Sequence, residues 1–526
     1  MKRSPGATLL ALAALLLDAC DGGGSPAHDA PLDQSDADSS ADADAVVDAD
    51  ADLSAEADAD ASAESEAEPE ADSSAEGDAD SSADADADGD AGSDAAPDPV
   101  VEWAVGFGSA EDDGVAGLAA AADGSVVAAG LTGPGSVDFG DGVRGPFAYE
   151  GLFVASWDAA GALRWALRPV ALGNAGARAV ATGPSGTTYV CAEYQNTQDI
   201  GGRSTTSAGG TDVAVFAMDP AGTVVWLDSF GNWGNEFCHG LAVDEAQDRV
   251  WVTGAYMGDV DFGDGPLPEG STSTNGFAAA LDTAGALVWS RGWVTDQPAQ
   301  NGGIAGDAAG NVYVTGAFLL STDFFGTVVT ATTSQDAFVL SLDPGGSFRW
   351  VRTYAGGYSE IGQDVARDPA GGVIVLATFE GTMPVGGTTL ASRGAYDTAL
   401  WTLDADGTVG RALSFGDAGF DIGSALVPAD GGWVMGGMLR GSASYGGPVL
   451  DSGATDLGFL VGLDAAGAHR WTAGFDDDMP VVVSAAAAAG TATWAGGVFY
   501  APLTLGAFTV TGGGERDVFL LRLRPP

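Results

Sequence analysis

From Trp103 onward the chain alternates short apolar runs with tight polar turns. Two phrases carry the alternation. The first is Asp343-Pro344-Gly345-Gly346-Ser347-Phe348-Arg349-Trp350, preceded by the apolar run Ala337-Phe338-Val339-Leu340. The second runs from Ile304-Ala305-Gly306 through Asp307-Ala308-Ala309-Gly310 to Asn311-Val312-Tyr313-Val314-Thr315-Gly316. Both read apolar arm, turn, apolar arm, with Gly where the backbone needs a positive φ. That is the pattern of tight antiparallel hairpins. The arms are apolar on both faces, which predicts strands packed between two neighbouring sheets.

The phrases recur at a fixed period. Asp-x-x-Gly-x-x-x-Trp starts at Asp158, Asp219, Asp282, Asp343, Asp404 and Asp464, at intervals of 61, 63, 61, 61 and 60 residues. The last slot holds Trp165, Trp226, Trp289, Trp350, Arg411 and Trp471, and Trp103 falls one period earlier. Copies of the second phrase span 118–130, 180–192 and 241–254. Each period thus encodes four strands: a and b about the second phrase, c and d about the first. Seven such sheets at even spacing predict an all-β, seven-bladed β-propeller over residues 101–526. The ends are complementary. Val101-Glu102-Trp103-Ala104-Val105 is a d strand with no a, b or c before it, and 517–524 is a c strand with no d after it. The first strand is therefore expected to complete the last blade and leave no open edge. An open solenoid gives no reason for such complementary ends. The Trp of each phrase is expected to pack between neighbouring sheets.

Asn311-Val312-Tyr313-Val314-Thr315-Gly316, Val260-Asp261-Phe262-Gly263 and Asp336-Ala337-Phe338-Val339 resemble the SBBP-type β-propeller repeats of bacterial exported proteins. The resemblance covers 101–526 and implies the fold. It implies little about activity, because such repeats are mostly attached to proteins of unknown role.

The N-terminal part differs in kind. Met1-Lys2-Arg3, the apolar run Ala7 to Leu17 and the ending Leu17-Asp18-Ala19-Cys20 form an export signal over 1–19, too short to span a bilayer permanently. The ending resembles the lipobox of bacterial lipoproteins, which would make Cys20 the lipid-attachment residue. Asp18 departs from that pattern; an ordinary secretory signal is the alternative. Residues 20–100 are an Asp/Ala/Ser-rich linker without aromatics, expected to be disordered and held extended by self-repulsion. Asp84-x-Asp86-x-Asp88-Gly89 opens like a calcium loop, but the twelfth position is Ala95 rather than Glu. The formal net charge is -55, and 27 acidic residues with no Lys or Arg fall within 21–100. The rest is still acidic and carries no basic stripe, which argues against a nucleic-acid partner.

Candidate chemistry is sparse. The Asp–Trp phrase is similar to the docking phrase of quinoprotein dehydrogenases but one residue shorter, and it fails the sialidase Asp-box spacing. His28, His239 and His469 are the only histidines, and none has triad partners in sequence view. No metal-ligand spacing joins the three Cys and three His. The Asp138/Asp141 and Asp261/Asp264 turns are read as Asp-Gly turns that satisfy local backbone groups. Cys191 and Cys238 should end on one face of neighbouring blades, where an exported protein can form a disulfide. The b–c segments 131–150, 194–211, 256–275, 318–335, 380–396, 440–455 and 500–516 are long and variable, so any ligand is expected on their face.

No catalytic, cofactor-binding or metal residue is assigned, and no cofactor is expected. The chain is expected to be a monomeric, non-enzymatic, lipid-anchored protein of the cell envelope, at the outer membrane or cell surface. Its propeller would bind a glycan or protein, or act as a scaffold. An exported propeller enzyme, quinoprotein-like or glycan-acting, with its site at the pore mouth, is the alternative. The small apolar a strands, such as 118–121 and 484–489, favour the non-enzyme.

Overall fold

The computed structural model describes residues 98–270, 274–297, 299–332, 334–453 and 455–526. The expected signal peptide, Cys20, the calcium-like loop and the acidic linker up to residue 97 lie outside them.

The described residues form a seven-bladed β-propeller of four-stranded antiparallel blades. Blade 4 is typical: a (Gln300–Gly306), b (Val312–Phe318), c (Asp336–Leu342) and d (Phe348–Tyr354) pair in that order. The seven a strands contact one another in an unbroken ring and so form the inner wall. Strands b and c are almost wholly buried, as their two-sided apolar pattern requires. Hydrophobic clusters fill the spaces between blades, for example Tyr313, Trp350, Val375 and Trp401 between blades 4 and 5.

Closure is as the strand count implies. Val100–Phe107 pairs with Asp517–Arg524 from Val100↔Arg524 to Phe107↔Val518, completing blade 7. The first and last described strands therefore share one sheet, and the edge of the last c strand is covered.

Each c–d phrase is a hairpin turn closed by its own Asp. Asp343 Oδ1 accepts from the N–H groups of Gly345 and Ser347 at 2.9 and 2.8 Å, and Gly346 takes φ +78°. Asp158, Asp219, Asp282, Asp404 and Asp464 do the same in their blades. The a–b turn at Asp307 is built identically. An L side chain at the Gly position would sit in the left-handed region and press on the preceding blade: a Cβ on Gly346 would lie 2.6 Å from Trp289.

One expectation needs correction. The b–c segments are not free loops. In six blades they contain a two-stranded ribbon, such as Thr197–Ile200 with Arg203–Thr206, and blade 3 has a single bridge between Asp261 and Pro266. The segments pack on outer strands, most on that of their own blade, while the blade 4 ribbon pairs with the outer strand of blade 3 through Val294↔Asp323 and Thr295↔Thr322. Arg144 donates to Ala166 O, Arg203 to Val224 O, and Asp264 accepts from Ser290 N. The reason is local: alternate residues such as Ile200, Phe324 and Val385 are apolar and buried, so each ribbon has a face to hide. It hides that face over a d strand, whose edge would otherwise be open.

Candidate functional site

The inner ring is the first place to look. Each a strand bulges, inserting extra residues: Ala116, Arg178, His239, Gly302 with Gly303, Gln363, Ser424 and Ser484. Such an insertion twists the strand and re-aims its side chains. Here several side chains at the bulges bond to neighbouring blades. Ser424 Oγ donates to Val483 O at 2.7 Å and Ser484 Oγ to Val115 O at 2.8 Å. Asp364, beside Gln363, accepts from Leu426 N of the next blade at 3.0 Å.

The seam between blades 2 and 3 carries more chemistry. Arg178 pairs with Glu193 at 2.9 Å, both nearly buried, and Glu193 Oε1 accepts from Cys238 N at 3.0 Å. Cys191 on strand b and Cys238 on strand a are joined by a disulfide, with Cα atoms 6.3 Å apart. That separation lies within the usual range for a bridge. His239 follows Cys238. Burial, aided by the Arg178 charge, pushes its imidazole down to about 4, and its Nδ1 has no hydrogen-bond partner. A neutral, enclosed ring without a carboxylate to orient it does not make a nucleophile–base pair. His469 instead contacts Thr472 Oγ1 at 2.7 Å on the outer strand of blade 6.

The predicted Asp-Gly turns spend their oxygens locally. Asp138 Oδ1 accepts from Gly140 and Gly142, and Asp261 Oδ1 from Gly263 and Gly265. Asp141 pairs with Arg144 at 2.5 Å, and Asp264 lies 3.6 Å from Arg291. Among the described residues no cluster of three or more His, Cys, Asp or Glu could hold a metal ion.

Sequence reasoning missed a set of buried carboxylates on the long-loop face. Strand c begins at or just after Asp212, Asp336, Asp397, Asp456 and Asp517; strand a begins within one residue of Asp113, Glu236, Glu360 and Asp421. All nine are buried. Most close a loop by accepting from the N–H four residues upstream, as Asp212 does from Ala208, Asp113 from Ser109 and Asp421 from Asp417. Along the chain they look like ordinary turn acids. In the fold, a c-strand acid of one blade faces an a-strand acid of the next at four seams: Asp517 with Asp113, Asp212 with Glu236, Asp336 with Glu360 and Asp397 with Asp421. Burial first, and the like charge second, raises the a-strand members: Asp113 and Asp421 to about 6, Glu360 to about 7 and Glu236 to about 8. Asp456 is the exception, clamped by Arg440 at 2.6 and 2.8 Å.

Exposed apolar side chains stand on the b–c segments, as Val143, Leu320, Val328 and Val449 do, and on the d–a connections. Trp233 is 67% exposed and Tyr358 59%, with Val170, Leu172 and Met479 also in solvent. The opposite face carries a shallow groove between blades 1 and 2, lined by Asp123, Arg164, Trp165, Ser185 and Pro220. Arg164 is already bonded there to Asp123 and Ser125.

No family model and no curated protein matches the sequence. Among solved structures, one similar chain is hydrazine synthase of Kuenenia stuttgartiensis: 13% identity, 73% of this chain and 92% of that one, TM-score 0.38. A puromycin hydrolase shares 14% identity over 75% and 51%, with TM-score 0.39. Sqt1 of Chaetomium thermophilum shares 12% over 81% and 100%, also with TM-score 0.39. Scores this low carry no functional inference.

Proposed function

We propose that this protein is a non-enzymatic binding disc of the cell envelope, of the SBBP-like kind, tethered through lipid at Cys20 and holding its ligand on the long-loop face. One observation carries the reading: four of the seven d–a connections on that face place apolar or aromatic side chains in solvent, led by Trp233 and Tyr358. Exposed aromatic rings suit the apolar face of a sugar or a partner's side chain. The ionic groups of the inner ring support the same reading, because Arg178, Glu193 and Asp364 are engaged within or between blades.

The test is a glycan-array and protein-partner screen with the full-length chain, repeated with Trp233→Ala and Tyr358→Ala together. Binding should fall at least tenfold in the double variant. Equal binding by both proteins overturns the assignment of this face. Fatty-acid labelling that persists in Cys20→Ser overturns the anchor.

A further inference from the structure

Two of the four acid–acid seams differ from the other two. Where the a-strand position holds Asp, its carboxylate is fully used. Asp113 accepts from Ser109 N and Gly133 N, and Asp421 from Asp417 N and Tyr445 Oη. Where the position holds Glu, the longer side chain leaves oxygens without a well-formed hydrogen bond. These are Oε1 of Glu236 and both carboxylate oxygens of Glu360, and each residue is 0% exposed. Oδ1 of Asp212, opposite Glu236, is likewise buried and unpartnered, as is Oδ1 of Asp397 opposite Asp421, so it is the a-strand Glu that sets these two seams apart. Asp336, opposite Glu360, accepts from Thr332 N. No arginine perturbs Asp212, Glu236 or Asp336, in contrast to Asp456 beside Arg440.

Buried, facing carboxylates that keep oxygens without a well-formed hydrogen bond call for positive charge. We propose that the seams between blades 2 and 3 and between blades 4 and 5 each hold a divalent cation of the calcium class, bridged by Asp212 and Glu236 in one and by Asp336 and Glu360 in the other. All donors are carboxylate or carbonyl oxygens, which suits a hard cation. At the second seam Glu360 Oε1 and Thr382 O converge: a Cβ on Gly356 would lie 2.2 and 2.4 Å from them. Glu380 adds further negative charge there. At the first seam Tyr194 lies within electrostatic reach of both acids. The remaining positions go to backbone carbonyls and water. Affinity in the range of extracellular calcium modules, about 0.1–1 mM, is sufficient in an exported protein. The cation would pin neighbouring blades together, independently of what the disc binds.

The experiment uses the full-length protein stripped with chelator and melted with and without 5 mM calcium (roughly five times the weak end of that range). The melting temperature should rise by several degrees in the wild type and by much less in Glu236→Gln/Glu360→Gln. The acidic N-terminal segment is common to both proteins, so the difference reports the seams. Terbium, with emission sensitised through Tyr194, provides a second readout. Its signal should be displaced by calcium, lost in Glu236→Gln, and weakened in Tyr194→Phe while the calcium-dependent rise in melting temperature persists. An undiminished calcium response in the double Gln variant overturns the proposal. So does a wild type that ignores calcium yet melts higher on acidification, because the seams would then be held by protons.

Discussion

In five of the repeats the tryptophan of the c–d slot acts on the next blade rather than on its own. Trp350 Nε1 donates to Ala405 O at 3.0 Å, and its ring lies over Gly407. Trp103, Trp165, Trp226 and Trp289 repeat the clasp onto Ala159, Pro220, Thr283 and Pro344. Arg411 keeps half of it: its guanidinium donates to Ala465 O at 2.8 Å, while Leu413 takes the place over Gly467. The two halves differ in worth. A buried indole replaced by Ala loses apolar burial and leaves a cavity, whereas an exposed hydrogen bond contributes little. Trp350→Ala should cost about 3 kcal/mol and Arg411→Ala less than about 1 kcal/mol. Urea denaturation of the two variants decides this, and equal losses would refute the division of labour. The repeated slot and its Arg exception were legible in the sequence. The acceptor was not, because it lies 54 or more residues away in the next period.

Among the elements, strand b of blade 2 and strand a of blade 3 are the only pair linked covalently among the described residues. The bridge closes 47 residues of chain, worth about 4 kcal/mol by loop entropy. Reduction should lower the melting temperature of the wild type and leave Cys191→Ala/Cys238→Ala unchanged. An equal response in both would mean that the bridge does not form in solution. The antiparallel strand order placed these two cysteines on one face from sequence alone. The b–c ribbons escaped the same reasoning. Their strands are only three to five residues long, and their partner is the edge of a sheet, which no local pattern announces.

For the molecule as a whole, the raised carboxylates govern the response to pH. Burial raises Asp113 and Asp421 to about 6 and Asp364 to about 7. The folded state therefore binds their protons more tightly than the unfolded chain does. Their stabilisation is complete below the ordinary carboxylate value near 4 and is lost as pH rises through about 6 to 7. His239 opposes this. Its value falls to about 4, so its contribution is present above its ordinary 6.5 and disappears as pH falls toward 4. The acids outnumber it, and the net charge of -55 adds repulsion as pH rises. The melting temperature should be higher at pH 5.5 than at pH 8, and the gap should shrink in Asp364→Asn. A wild type that melts higher at pH 8 would contradict the assignment.

What the chain determined by itself is whatever repeats at short range. Turn acids, glycines at positive φ and apolar arms set each hairpin, and their period of about 61 residues set seven blades and the shared last one. What only the tertiary structure decided is which groups meet across a seam. Asp212 and Glu236 are 24 residues apart and belong to different blades, as do Asp336 and Glu360. Along the chain each looks like an unremarkable turn acid. They become a pair of facing buried charges only when the ring closes and brings the blades together, because it is burial that raises the cost of each charge.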